Sequence, residues 1–253
     1  MLRLFTTSYP EPNPQRSAEY ALCLEKNRQC RSIDGIYIIA EPGSSALSGS
    51  DELTIRQSSS RPTYDDFFHW INELAGEDDL SIIANSDIWF DDSIRAAAES
   101  LRSGQCFALA RWDGNKLSYR NDSQDCWMWR GRIKNVHGNF PLGVPRCDNR
   151  LMHELRAAGY EVLNPAFSVR AHHVHAGVRG EYAEANLTHF VEPPYGYLWP
   201  HNLWSLPRTI AHNLSDPSRK LGWRVDKRRI AASLPVRAAA KLARAVLPQR
   251  SAA

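Results

Sequence analysis

Cysteine is scarce and scattered in this sequence. Cys23, Cys30, Cys106, Cys126 and Cys147 are odd in number and no two stand in CxxC spacing, which points away from a disulfide framework or a structural zinc knot and towards a reducing cytosol. Nowhere do eighteen apolar residues run together, and Met1-Leu2-Arg3-Leu4-Phe5 is followed at once by polar residues, so neither a membrane span nor a signal peptide is expected. Internal repeats and collagen-like, coiled-coil or mucin-like stretches are also missing, which sets aside repeat and fibrous architectures. What is present suits a globular protein: 43% hydrophobic and 23% charged residues over 253 positions, enough for one large α/β domain or a domain with an appendage. Eight tryptophans and nine tyrosines either fill the core or line a binding surface.

Charge is unevenly placed. From His201 to Ala253 eleven Lys or Arg face only Asp216 and Asp226, a balance of +9, while the first 200 residues hold 20 basic against 26 acidic residues. This divides the chain into a domain over 1–200 and a basic, helical C-terminal extension over 201–253. Arg237, Lys241 and Arg244 share one helical face there, with Val236, Ala240, Ala243 and Leu247 opposite. Such a helix suits peripheral contact with an anionic inner membrane face, where each basic residue contributes about 1 kcal/mol; a solvated helix is the plainer reading. The aromatic-basic motifs of DNA and RNA modules are absent, so no nucleic-acid partner is expected.

The first expected strand, Leu2 to Thr7, leads to a helix with Asn13 as cap and Pro14 at its first position. Ala18, Leu22 and Cys23 give that helix its apolar face. Strands follow at Ile36–Ala40 and Leu53–Ile55. Thr63 pairs with Asp66 as a capping box, and Phe67, Trp70, Ile71 and Leu74 recur on one helical face. The apolar run from Ser81 reads as a strand delivering Asn85, Ser86, Asp87 and Asp91 to the edge of a sheet, where ligands of open α/β folds bind. A helix over 93–102, strands over 106–111 and 125–129, and a helix closed by Gly159 before Glu161-Val162-Leu163 continue the alternation. The order predicts a mostly parallel, mixed α/β sheet flanked by helices.

Three polar clusters end strands or open helices in this reading: Asn85/Ser86/Asp87/Asp91, Asp148/Asn149 and His172/His173/His175. Carboxylates at a strand end suit Mg²⁺ or Mn²⁺, which keep one or two protein carboxylates beside the phosphates of a substrate; helix capping is the alternative for Asp91 or Asp92. Strand alternation turns His173 and His175 to one face and His172 to the other. Arg61 matches phosphate oxygens bidentately.

With these clusters in order, residues 1 to 180 resemble the GT-A glycosyltransferases. The nucleotide-binding half of that family ends in a short acidic motif, commonly Asp-x-Asp; Asn85-Ser86-Asp87 stands there, with Asn85 replacing the first carboxylate. The resemblance implies a Rossmann-type sheet, a nucleotide-sugar donor contacted by Thr6, Thr7, Ser8, Glu41, Arg61, Asn85 and Ser86, and a Mn²⁺ or Mg²⁺ ion held by Asp87, His173 and His175. Asp148 through Val162 matches the helix, Gly-Tyr turn and strand of inverting members, which makes Asp148 the general base. Asp125, Trp127 and Asn149 fall where the acceptor is met, a glycan or lipid-linked glycan of the bacterial-surface type. The expected protein is thus a cytoplasmic, metal-assisted, inverting hexosyltransferase of polysaccharide biosynthesis.

Three other readings compete. A nucleotidyltransferase would carry a Gly-rich basic phosphate loop after its first strand, and Thr6-Thr7-Ser8-Tyr9-Pro10 is not one. A zinc-dependent hydrolase could be built on the His172–His175 cluster. A non-catalytic sugar- or nucleotide-binding module would account for Asn85.

Overall fold

The structure is a computed structural model that describes residues 1–44, 53–118, 120–175 and 190–203. Its elements are β1 (Leu2–Ser8), α1 (Pro14–Gln29), β2 (Gly35–Ala40), β3 (Leu53–Gln57), α2 (Tyr64–Leu74), β4 (Leu80–Ala84), β5 (Ile88–Phe90), α3 (Ile94–Ser100), β6 (Gln105–Leu109), β7 (Arg111–Asp113), β8 (Lys116–Leu117), β9 (Cys126–Arg130), α4 (Cys147–Ala157), β10 (Glu161–Leu163) and β11 (Ala171–His173). The basic extension from residue 204 onward and most of the Ser/Gly-rich loop before β3 lie outside the described residues.

Seven strands form the main sheet in the order β10-β6-β9-β4-β1-β2-β3. All neighbours run parallel except β9, which is antiparallel to both β4 and β6. This is the mostly parallel, mixed α/β sheet flanked by helices expected above. Its strands read as continuous apolar runs because both faces are covered. One face packs Phe5, Ile83, Trp127 and Trp129 against α2 and α4. The other packs Leu4, Ile82, Cys126 and Met128 against the aliphatic side chains of α3. β1 lies between β2 and β4 with connections leaving in opposite directions, and this switch point opens a crevice at the carboxyl ends of the strands.

A second sheet, β5-β11-β7-β8, changes one expectation. The apolar run after Ser81 is not a single strand: it turns at Asn85, whose carbonyl accepts from Ile88 N–H at 3.1 Å, and restarts as β5. Asp87 therefore stays in the turn beside the crevice, and Asp91 is carried to the far end of β5. There its Oδ1 accepts from Ser93 N–H at 2.9 Å and its Oδ2 lies 2.8 Å from His172 Nε2.

Helix signals hold at the ends and fail on one face. Asn13 Oδ1 accepts from Gln15 and Arg16 N–H ahead of α1, and Thr63 and Asp66 close a reciprocal capping box on α2. Beyond α4, Gly159 at φ +88° and the Tyr160 N–H to Leu155 carbonyl bond make a Schellman ending. But α1 does not bury Ala18 and Leu22. Leu22 is 45% exposed, and the covered residues are Arg16, Glu19, Cys23 and Asn27, since they pack onto the turn and β5, which offer carboxylate and backbone groups. Asn27 spans the last of these, donating to the Ile88 carbonyl and accepting from Phe90 N–H. Among the described residues no helix is long and apolar enough to cross a membrane, and the five cysteines are free and buried.

Candidate active site

The crevice is a cleft of about 630 Å³. Thr7 of β1, the Asn85-Ser86-Asp87 turn, Arg16 and Tyr20 of α1, and His173 and His175 wall one end. Gln124, Asp125, and the Leu142–Asn149 stretch that opens α4 wall the other. A second cavity of about 420 Å³ shares Thr7, Tyr9, Tyr20, Asn85 and Ser86 with the cleft and continues along β1 past Thr6 and Ser8. Tyr9 and Tyr20 are joined hydroxyl to hydroxyl at the partition, and burial pushes the Tyr9 phenol up to about 12.

Asp87 is the centre of the first end. Its Oδ2 accepts from Arg16 Nη2 at 2.9 Å and lies 3.3 Å from His173 Nε2. Burial works against its charge, but the bonds and charges of His173 and Arg16 outweigh burial and hold the carboxyl below its ordinary value. Arg16 is itself paired with Glu19 and lies 2.9 Å from His175 Nδ1. Burial would lower the His173 pKa, and Asp87 reverses this and raises it.

These residues suit a hard divalent cation. Asp87 Oδ1 is buried with no hydrogen-bond partner among the described residues. His173 Nδ1 lies 2.7 Å from Asp113 Oδ1, the carboxylate support that leaves the other imidazole nitrogen to a metal. Among the described residues no three His, Cys, Asp or Glu side chains gather as a ligand shell, and a cation completed by substrate phosphates and water needs no more than two. A zinc hydrolase on the histidine cluster needs at least three protein ligands, and the cluster divides instead. His172 turns away to Asp91 and stacks on Trp89 at 4.1 Å, while His173, the last residue of β11, and His175, beyond the strand, line the cleft.

The other end holds Asp148, in the first turn of α4. Its Oδ2 accepts from Gln124 N–H at 3.2 Å and its Oδ1 from Asn149 N–H at 2.9 Å, so it is held by backbone and does not close its own helix as an N-cap. Desolvation and the nearby charge of Asp125 push its pKa up to about 7 against the pull of those two bonds. Asp125, buried, accepts from Arg111 Nη1 through both oxygens and from Asn85 Nδ2 at 3.2 Å. That last bond explains Asn85: a carboxylate there would set two anions against each other in a buried position.

Of the expected donor residues, Thr7, Ser8, Asn85 and Ser86 line the cavities, and Thr6 lines the second one while its hydroxyl donates to the Ala84 carbonyl. Arg61 lines the cleft with its Nε on the Leu142 carbonyl; Glu41 lines neither cavity. Asp125 and Asn149 line the cleft, but Trp127 does not. It is wholly buried and meets Tyr64 edge-on at 5.2 Å, because β9 is covered on both faces and alternation leaves neither side for a ligand. Sequence reasoning missed Arg16, Tyr20, Arg111, Arg120, Asp122 and Arg146. A signal for the first two was present, since residues 16, 19, 20, 23 and 27 form a helical stripe that is mostly polar.

No protein-family model matches the chain, and a search of curated proteins gave no match. Solved structures do resemble it in fold. A mannosyltransferase from Pyrobaculum calidifontis, solved with GDP-Man and Mn²⁺, is 13% identical with a TM-score of 0.46, over 96% of this chain and 79% of that one. A protein from Desulfovibrio desulfuricans described as a nucleotide-diphospho-sugar transferase is 13% identical with a TM-score of 0.46, over 64% and 78%. A 4-diphosphocytidyl-2C-methyl-D-erythritol synthase from Anaerococcus prevotii is 10% identical with a TM-score of 0.46, over 74% and 93%. The functional reading rests on the residues of the cleft.

Proposed function

We propose that the chain is a metal-assisted, inverting glycosyltransferase that moves a sugar from a nucleotide-sugar donor to a hydroxyl acceptor. The observation that carries this is the pairing, in one cleft, of a carboxylate poised near pH 7, Asp148, with the Asp87–His173 pair at the opposite end. A general base works best when its pKa lies near the working pH, and Asp148 is still partly open to the cleft.

In this mechanism the second cavity takes the nucleoside, with Thr7, Ser8 and Ser86 at its border, and Arg61 meets the diphosphate. Asp87 and His173 would hold Mn²⁺ or Mg²⁺, with Asp113 orienting the imidazole; bound there, the ion supplies Lewis-acid stabilisation of the leaving diphosphate. Asp148 accepts the proton of the acceptor hydroxyl as that oxygen attacks the anomeric carbon, and the bond from that carbon to the diphosphate oxygen breaks on the opposite side. The acceptor enters past Asp125 and Asn149. An anionic-membrane contact through residues 201–253 would bring a lipid-linked acceptor to this opening.

Binding of UDP-, GDP-, ADP- and CDP-sugars, each with Mn²⁺, Mg²⁺ or EDTA, tests the reading by thermal shift. One nucleotide is expected to stabilise the protein with metal and much less with EDTA, and Asp87→Asn to remove the metal-dependent part. Asp148→Asn is expected to bind the same nucleotide unchanged. Stabilisation by no nucleotide, or undiminished metal dependence in Asp87→Asn, overturns it.

A further inference from the structure

Five arginines line the cleft: Arg16, Arg61, Arg111, Arg120 and Arg146. Three are neutralised by carboxylates, Arg16 by Asp87 and Glu19, Arg111 by Asp125, and Arg120 by Asp122. Arg61 and Arg146 have no such ion pair among the described residues, though Glu41 feels the charge of the first. Arg61 reaches from the Leu142 carbonyl towards the ring of Tyr9, a residue that lines both cavities. Arg146 lies over the Tyr195 ring at 5.2 Å, two residues before Asp148, and its charge is felt by Asp122. An exposed guanidinium with no ion pair, in the cleft and two residues before Asp148, can meet an anionic group, while Arg61 is given to the donor diphosphate.

Two further observations bear on the Arg146 side. Its backbone stands at φ 69°, ψ 6°, a left-handed conformation that favours glycine and penalises a side chain, so local stability is no reason for an arginine there. Gln124, whose backbone N–H holds Asp148, is 2% exposed and lines the same cleft, yet its Oε1 has no hydrogen-bond partner among the described residues. A buried acceptor of this kind is costly unless a ligand supplies the donor, and a sugar hydroxyl or amide N–H would.

We propose that this end of the cleft is a subsite for an anionic acceptor, a sugar carrying a phosphate or a carboxylate, with Arg146 on the anion and Gln124 Oε1 taking a hydroxyl or amide proton. The inference rests on the transferase reading and adds to it the acceptor's chemical class. Arg146 is a specificity residue: guanidinium matches both oxyanions in fork geometry, and a lysine replaces it only as a point charge.

The test is isothermal titration of the full chain, alone and saturated with UDP, GDP, ADP or CDP plus Mn²⁺. The probes are the methyl glycosides of glucose, galactose and mannose, each neutral, as the 6-phosphate and as the uronate. At least one charged probe is expected to bind about tenfold or more tighter than its neutral counterpart, as losing a charged hydrogen-bond pair implies. Preference for the phosphate series or the uronate series identifies the anion. Arg146→Ala should erase the preference and Arg146→Lys keep part of it. Arg146→Gly should melt no lower than the wild type, because glycine relieves the left-handed residue, and still lose the preference, which separates recognition from folding. Equal binding of charged and neutral probes to the wild type, or a preference that survives in Arg146→Ala, overturns the proposal. If no nucleoside diphosphate binds, the transferase reading falls, while the charged-against-neutral comparison on the protein alone still decides this one.

Discussion

α1 and α2 pack on opposite faces of one sheet and are built for different ends. α2 buries Tyr64, Phe67, Phe68, Trp70 and Ile71, all of them in the aromatic core. α1 covers Arg16, Glu19, Cys23 and Asn27, so its inner face is a row of charges and hydrogen-bond groups that hold the Asp87 turn and β5. One helix secures the sheet through apolar area; the other spends its buried face on orienting the cleft. The first turn of α4, with Asp148, belongs with α1 in this respect, while the rest of α4 buries Leu151, Met152 and Leu155.

Substitutions should divide along the same line. The largest effect is expected at Asp148: Asp148→Asn lowers transfer by about 10²- to 10⁴-fold, the range of a lost general base, with nucleotide affinity unchanged. Its pKa also fixes a sign. A folded-state value near 7, above the ordinary carboxylate value, means the folded protein prefers the protonated acid. The stability from this group is present at low pH and is lost as pH rises through about 7. Asp148→Asn should therefore melt higher than the wild type at pH 8, with the gap closing as pH falls towards 4, and wild-type turnover should rise through pH 7. A gap that widens in acid would contradict the assignment.

Next comes Trp70→Ala on α2, expected to cost about 3–5 kcal/mol in chemical denaturation while the molecules still folded bind nucleotide normally. Arg16→Met on α1 should cost about 3 kcal/mol, because Asp87 and Glu19 lose their buried counter-ion, and should also weaken nucleotide diphosphate binding. Unaltered binding in Arg16→Met would erase the distinction between the helices. The smallest change, Asn85→Asp, sets a carboxylate beside Asp125 and should cost about 1–3 kcal/mol at pH 8 and less at pH 4, where the acids become protonated.

That difference between the helices also governs what could be read beforehand. The i, i+3, i+4, i+7 spacing of Phe67, Trp70, Ile71 and Leu74 is a hydrophobic signal, and it located α2, its cap and its buried face together. The same logic misassigned α1, because apolar periodicity is blind to a face buried for its polarity. Asp87, Asp148, His173 and His175, picked out for their expected place at strand and helix ends, all line the cleft. Arg111, Arg120 and Arg146 were not picked out: Arg111 comes to the cleft from the second sheet, and Arg120 and Arg146 come from the loops before β9 and α4. Trp127 failed for a related reason. An aromatic in a five-residue strand looks the same whether one face or both faces are covered, and only the insertion of β9 between β4 and β6 decides it.

β9 is also where the molecule guards its own alignment. Trp127 and Trp129 project into the aromatic face, Cys126 and Met128 into the aliphatic one, and side chains alternate with a period of two. A slip of β9 by a single residue would drive two indoles into space shaped for a thiol and a thioether. Because Asp125 and Gln124 directly precede this strand, the bulk of the two tryptophans works as a ratchet: it fixes, to the nearest residue, where the carboxylate beside Arg111 and the N–H beneath Asp148 come to rest.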